Sequence, residues 1–278
     1  MQAVVKELYT PLVRQQPQAD VIVTTDVAYG PDERHRLDIY QARDHQNCPV
    51  VIFVPGAGFV RAEKNSDGVF FGNVGRYFAN QGMMAIVANY RLAPQHPWPA
   101  GGEDVASMID WAQSSASVYG GDPTSIVAIG HSAGATHVAS YLFDKTWGLP
   151  RNSGVAGAIL VSGRYQIGGA HLPDNIKAYF GTDEEAYSHR SPITHVTHDA
   201  TPLLIAVAEY DPPLLAAQAF DLASRVTVRD GRSPSFGWLK GHNHLSPLYS
   251  LGSGVGDAGE IFSNFIRSAT KRAALTPA

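Results

Sequence analysis

Apolar residues along this chain fall into short dense runs separated by amphipathic stretches. VVIFVPG at 50–56, MAIVANY at 84–90, SIVAIG at 125–130, VAGAILVSG at 155–163 and LLIAVAEYD at 203–211 are nearly continuous apolar segments. Runs of that length without polar alternation predict strands buried on both faces, as in a parallel sheet. Between and after them, apolar residues recur every three or four positions over 66–81, 99–118, 133–143, 214–225 and 256–271, which predicts amphipathic helices. A last short strand is predicted at 236–240. At the start, residues 1–20 read as a short helix and a polar lead-in. Segments 21–23 and 34–41 flank Tyr29-Gly30-Pro31-Asp32, a turn signature that predicts a hairpin. Strands alternating with helices predict an α/β fold, a mostly parallel central sheet with helices on both faces. In such sheets ligands sit beyond the carboxyl ends of the strands.

One stretch breaks the rhythm. Residues 164–200 separate two strands and carry Tyr165, His171, Tyr179, Phe180, His189 and His195. An insertion of that length predicts a small lid over the site. With no repeat, no low-complexity linker and no second boundary, 1–278 reads as one domain.

Composition narrows the function classes. The chain has 278 residues, 44% hydrophobic and 17% charged, with a formal net charge of −4. No basic stripe is present, which argues against nucleic acid as a partner. A lone cysteine, Cys48, forms no internal disulfide and reads as a buried or incidental thiol. No apolar run approaches membrane-spanning length and the first residues lack the core of a secretory signal. The expectation is a cytoplasmic protein with no membrane partner.

Candidate chemistry centres on Gly130-His131-Ser132-Ala133-Gly134. This G-x-S-x-G pattern lies between a predicted strand and a predicted helix, the setting of a nucleophile elbow. Ser132 is the candidate nucleophile. An acyl-transfer oxyanion needs preorganised N–H donors. Ala133 follows the nucleophile, and the loop Pro55-Gly56-Ala57-Gly58-Phe59 after an earlier strand offers Ala57 and Gly58. Asp211 ends a buried strand and is the candidate acid, with Glu209 as competitor. Downstream, LKGHNHLSP supplies two candidate bases, His242 and His244, which spacing alone does not separate. Two histidines with no third ligand at a metal-binding spacing predict no metal, and the chemistry requires no cofactor.

Several segments together resemble one family. NYRLAP at 89–94, WPAGGEDV at 98–105 and GHSAG at 130–134 resemble motifs of hormone-sensitive-lipase-like esterases of the α/β-hydrolase superfamily. YGPDERHRLDIY at 29–40 and GHNHLSP at 241–247 look like the compact branch with feruloyl-esterase-like and arylformamidase-like proteins. The resemblance runs from about residue 29 to 268. It implies the α/β-hydrolase fold, Ser132 as nucleophile and Asp211 as acid. It also implies His244 as the base, because the catalytic histidine of this branch falls in an (Asn/Asp)-His-(Phe/Leu)-Ser setting, here Asn243-His244-Leu245-Ser246. Three positions depart from the pattern. Pro55 and Ala57 stand where the family loop has histidine and glycine, and His131 replaces the usual acidic residue of the elbow. The N-terminal region is short for a large helical cap, which favours small esters.

The expected activity is a carboxylesterase acting on a small-molecule ester through an acyl-enzyme, with arylformamidase, amide hydrolase or lactonase chemistry and a non-catalytic receptor as rivals. Phe59, Trp98 and Tyr165 are the expected pocket residues. Arg91 and Asp104 read as a structural pair, and Arg61 and Lys64 as a solvated face. Edge strands or the last helix often support dimers in the family, so the resemblance allows a homodimer, while the sequence itself does not show the oligomeric state.

Overall fold

The computed structural model describes residues 2–17, 20–65, 67–144, 146, 154–169, 171–197 and 201–275. Parts of the predicted helix at 66–81 and of the 164–200 insertion lie outside these residues, at 66, 170 and 198–200.

Eight strands form one sheet: β1 (Val21–Ala28), β2 (Arg36–Ala42), β3 (Cys48–Val54), β4 (Met84–Ala88), β5 (Gly121–His131), β6 (Gly157–Val161), β7 (Leu203–Tyr210) and β8 (Ser235–Asn243). Their spatial order is β1-β2-β4-β3-β5-β6-β7-β8. The predicted hairpin is the antiparallel pair β1–β2, and β2 also runs antiparallel to β4. From β4 through β8 every neighbouring pair is parallel.

Eight helices complete the chain: α1 (Gln2–Val13), α2 (Gly72–Asn80), α3 (Ala100–Ser115), α4 (Ala133–Phe143), α5 (Asp174–Phe180), α6 (Pro213–Asp230), α7 (Ser246–Tyr249) and α8 (Ala258–Leu275), counting the described residues only. Alternation along the central strands sorts the core into two layers. Val50, Ile52 and Val54 of β3 and Ile126 and Ala128 of β5 meet Val105, Ile109, Val138, Leu142 and Leu222 of α3, α4 and α6. Val51, Phe53, Val127 and Ile129 meet Val74, Phe78, Phe262 and Ile266 of α2 and α8. Both faces are covered, which is why these strands read as continuous apolar runs. Each fully buried Ile, Val, Leu or Phe contributes about 1.5–3 kcal/mol relative to exposure.

Two polar clusters tie the hairpin side of the sheet. Fully buried Asp104 accepts from the Arg91 amide at 2.7 Å and from Arg91 Nε at 2.8 Å, and lies 3.0 Å from His35 Nε2. This is the structural pair expected from the sequence. Lys64 corrects another expectation. Only 8% exposed, its Nζ sits 2.6 Å from Asp38 and 2.8 Å from Asp26. Burial opposes its charge, but the two carboxylates outweigh that and raise its pKa above the usual lysine value. It is an interior ion-pair residue, while Arg61 is exposed as expected. Cys48 is buried, with Sγ 3.2 Å from the Gly120 carbonyl.

Candidate active site

Ser132 stands between the last residue of β5 and the first of α4, with φ 53° and ψ −119°. That left-handed conformation is costly for a residue with a side chain, roughly 1–3 kcal/mol, and persists only where the surroundings dictate it. They do so here. The Ser132 amide donates to the Val161 carbonyl of β6 at 2.9 Å. A Cβ on Gly134 would stand 2.0 Å from the Val54 carbonyl oxygen, and one on Gly130 2.5 Å from Ala135 Cα. The motif's glycines are therefore fixed by backbone passing backbone, and the elbow is held against the end of β3.

The loop after β3 packs onto the same elbow. A Cβ on Gly56 would fall 2.7 Å from both the His131 carbonyl oxygen and Ser132 Cβ. Tyr90 anchors the loop by donating its hydroxyl to the Pro55 carbonyl at 2.9 Å. From the insertion, Asn175 of α5 donates to the Gly58 carbonyl at 3.0 Å. Among the described residues, the amides of Ala57, Gly58 and Ala133 donate to no protein acceptor.

The candidate base and acid come from the ends of β8 and β7. His244 Nε2 lies 3.0 Å from Ser132 Oγ, and His244 Nδ1 lies 2.7 Å from Asp211 Oδ1. The second carboxylate oxygen of Asp211 accepts from Ser162 Oγ at 2.6 Å and from the Ala208 amide at 2.8 Å. Burial alone would raise the Asp211 carboxyl; the contacts from His244, Ser162 and the Ala208 amide outweigh it and lower its pKa below the usual value. An ionised, fully hydrogen-bonded carboxylate fixes the imidazole with Nδ1–H toward Asp211 and leaves Nε2 free to take a proton from Ser132.

The alternatives raised by the sequence go elsewhere. His242 is buried with Nδ1 2.9 Å from Ser246 Oγ, and Glu209 accepts from the Gly241 amide at 2.8 Å. Neither makes a hydrogen bond or ion pair with Ser132.

The expected pocket residues are placed differently from one another. Phe59 is 2% exposed and stacks on Tyr179 of α5 with ring centroids 4.8 Å apart. Tyr165 has no exposed surface at all. With so little accessible surface, both pack the interior and line no open cleft. Trp98 is partly exposed, under the Arg190 guanidinium at 5.5 Å.

Sequence reasoning missed Ser162 and Asn175, which hydrogen-bond the Asp211 carboxylate and the Gly58 carbonyl. Nothing in their local sequence marks them, because both contacts join segments far apart in the chain. A separate cleft of about 410 Å³ opens at the opposite ends of β7 and β8, lined by Leu203, Asp230, Arg232 and Phe236; it touches none of the groups above. Among the described residues, no cluster of His, Cys, Asp or Glu is arranged to hold a metal ion, and no helix is long and apolar enough to cross a membrane.

The BD-FAE family model matches residues 37–143, from β2 through α4. Esterase LipC of Mycobacterium tuberculosis is 27% identical over 240 residues, covering 78% of this chain and 58% of LipC. A probable isoprenylcysteine alpha-carbonyl methylesterase of Oryza sativa is 30% identical over 160 residues, covering 57% of this chain and 34% of that protein. The chain thus spans little more than half the length of LipC. Among solved structures, esterase B of Lactobacillus rhamnosis superposes with a TM-score of 0.79 over 99% of this chain and 93% of that one, at 16% identity. An esterase of Pyrobaculum calidifontis gives 0.74 over 98% and 92%, at 22% identity. These superpositions establish the fold.

Proposed function

We propose that this chain, an α/β-hydrolase related to the esterases, hydrolyses carboxylic esters through an acyl-enzyme on Ser132. The observation that carries the reading is the continuous contact from Ser132 Oγ through His244 to Asp211, at 3.0 and 2.7 Å. In the mechanism, Ser132 Oγ attacks the ester carbonyl as its proton passes to His244 Nε2. The tetrahedral oxyanion is held by the amides of Ala57, Gly58 and Ala133, each such donor being worth roughly 10²–10³ in rate. His244 returns the proton to the departing alcohol. Water then attacks the acyl-enzyme by the same route and frees Ser132. Asp211 stays ionised throughout and stabilises the imidazolium. No step calls for a cofactor.

The substrate class is short-chain or small aryl esters. Among the described residues the cover is modest: Leu172, and Ile176, Tyr179 and Phe180 of the seven-residue α5, pack with Phe59 and Ala133. A cover of this size suits a compact acyl group better than a long lipid.

The test is a ladder of p-nitrophenyl esters from acetate to dodecanoate, with wild type beside Ser132→Ala, His244→Ala and His242→Ala. Short esters should turn over, the Ser132 and His244 variants should fall to near background, and the His242 variant should stay within about threefold of wild type, because His242 contacts Ser246 rather than the nucleophile. Cleavage of formamides or lactones but of no ester would replace the ester reading with a rival on the same triad. No turnover of any of these, and no acylation of Ser132, would favour a non-catalytic receptor.

A further inference from the structure

His131, the last residue of β5, fills the elbow position between Gly130 and Ser132 and is 2% exposed. Its Nε2 lies 2.7 Å from the backbone carbonyl oxygen of His244, and its ring faces the His244 ring with centroids 5.1 Å apart and planes inclined by 40°. A carbonyl only accepts, so Nε2 carries the proton in this contact. The other nitrogen, Nδ1, is buried without a hydrogen-bond partner among the described residues, against the Gly56 backbone. Protonating it would place a second N–H, and a full charge, in a buried site that offers no acceptor. The geometry itself therefore keeps this imidazole neutral. Burial, and after it the charge of His244, push its pKa down to about 3.

This contact does something the triad contacts do not. Ser132 and Asp211 engage the His244 ring, whereas His131 grips its backbone and ties the loop after β8 to the strand that carries the nucleophile. Asp211 approaches from the end of β7 and Ser132 from the elbow. On its own loop, His242 is turned to Ser246 with Asp257 nearby, and Glu209 of β7 is held by the Gly241 amide. Among the described residues Asp211 is thus the one charged group hydrogen-bonded to His244, and the elbow side presents a neutral ring.

We propose that His131 is a positioning residue that holds the His244 backbone on the nucleophile elbow, and that its neutrality sets how far into acid the enzyme stays active. The proposal rests on the esterase reading for its kinetic readout. A carboxylate at position 131, in place of the ring that faces His244, would stabilise the protonated base and delay its deprotonation to higher pH. A neutral ring without the donor would weaken the tether and leave the acid limb where it is.

The test measures kcat and KM for p-nitrophenyl butyrate between pH 5 and 9 in wild type, His131→Phe, His131→Gln and His131→Asp. The Phe variant should lose roughly 10-fold or more in kcat with KM little changed, and the Gln variant, which restores a neutral donor, should recover part of it. In the Asp variant the acid limb of kcat/KM should move up by about one pH unit or more. Wild-type kcat in the Phe variant overturns the tether, and an unmoved limb in the Asp variant overturns the charge argument. Histidine ¹⁵N NMR of the free proteins reads the same property without substrate. His131 should remain the neutral Nε2–H tautomer from pH 5 to 8, and the His244 midpoint should rise in the Asp variant. A His131 signal that titrates near 6.5 refutes the proposal even if no ester is cleaved, whereas failure of the esterase reading alone leaves the NMR result standing.

Discussion

Gly134→Ala tests how tightly the elbow is built. On helix propensity alone, alanine in place of glycine inside α4 should stabilise by up to about 1 kcal/mol. The structure reverses the sign. The added Cβ would lie 2.0 Å from the Val54 carbonyl oxygen, 2.7 Å from Val54 C and 2.8 Å from the Pro55 carbonyl oxygen. All three are backbone atoms, so no side-chain rotation relieves the overlap. Helix α4 and the end of β3 must separate by about 1 Å to reach the 3.0 Å that real Cβ contacts respect. Overpacking of this kind costs about 1–3 kcal/mol, or a fall in Tm of roughly 2–10 °C for a chain this size. Activity should suffer more, because the two segments forced apart carry Ala133 on one side and Ala57 and Gly58 on the other. A displacement of that size costs on the order of 100-fold in kcat. Thermal melting and p-nitrophenyl butyrate kinetics on the same sample give both numbers. A Gly134→Ala variant as stable and as active as wild type would refute the close approach of elbow and donor loop.

Four further outcomes follow from the same geometry. Asp211→Asn should lower kcat by about 10³-fold or more at pH 7, because the amide favours the wrong imidazole tautomer. The lowered Asp211 carboxyl also means that its contribution to stability is complete above the usual value of 3.8 and is lost as pH falls through the lower folded value. In urea titrations the gap between wild type and the Asp211→Asn variant should therefore hold constant above about pH 5 and close below the carboxylate range. His137, fully buried among Phe59, Tyr90 and Tyr179 with neither ring nitrogen partnered among the described residues, is pushed down to about 3 by burial. Below about 6.5 only the unfolded chain takes up that proton, so stability should fall by about 1.4 kcal/mol per pH unit on its account, and His137→Phe should flatten the slope between pH 6 and 4. Asn175→Ala should reduce kcat about 10-fold with KM nearly unchanged by freeing the Gly58 carbonyl; steady-state kinetics with unchanged kcat would show that α5 does not steady the donor loop.

The long periodic elements were legible in the sequence, and the physical reason is burial on both faces. The helix predicted at 133–143 coincides with α4, and the apolar runs at 84–90 and 203–211 hold β4 and β7. Short elements were not. Helix α5 has seven residues and α7 four, too few to display a period. Helix α2 begins at Gly72 rather than 66, because the Asp67 carboxylate caps the Val69 and Phe70 amides in a turn ahead of it. In the site, Ser132 and Asp211 were marked by local pattern, since each sits where a buried strand ends. The two histidines were not separable by spacing, because residues two apart on a regular strand share a face. Strand β8 ends at Asn243, between the two, so the alternation does not carry over, and His242 turns to Ser246 while His244 reaches Ser132. Aromatic residues beside the catalytic loops gave no guide to their direction: Phe59 and Tyr165 point into packed interior. Contacts that span the chain, such as His131 to His244 and Ser162 to Asp211, leave no trace in local sequence.

The most direct test of the central claim is mass spectrometry of the protein quenched in acid within the first turnovers of p-nitrophenyl acetate. The account predicts one acetyl group added to the intact mass, mapped by peptide sequencing to Ser132 and absent from Ser132→Ala, with a longer-lived adduct in His244→Ala if any forms. Ester hydrolysis with no adduct on Ser132, or an adduct mapped to another residue, would contradict it.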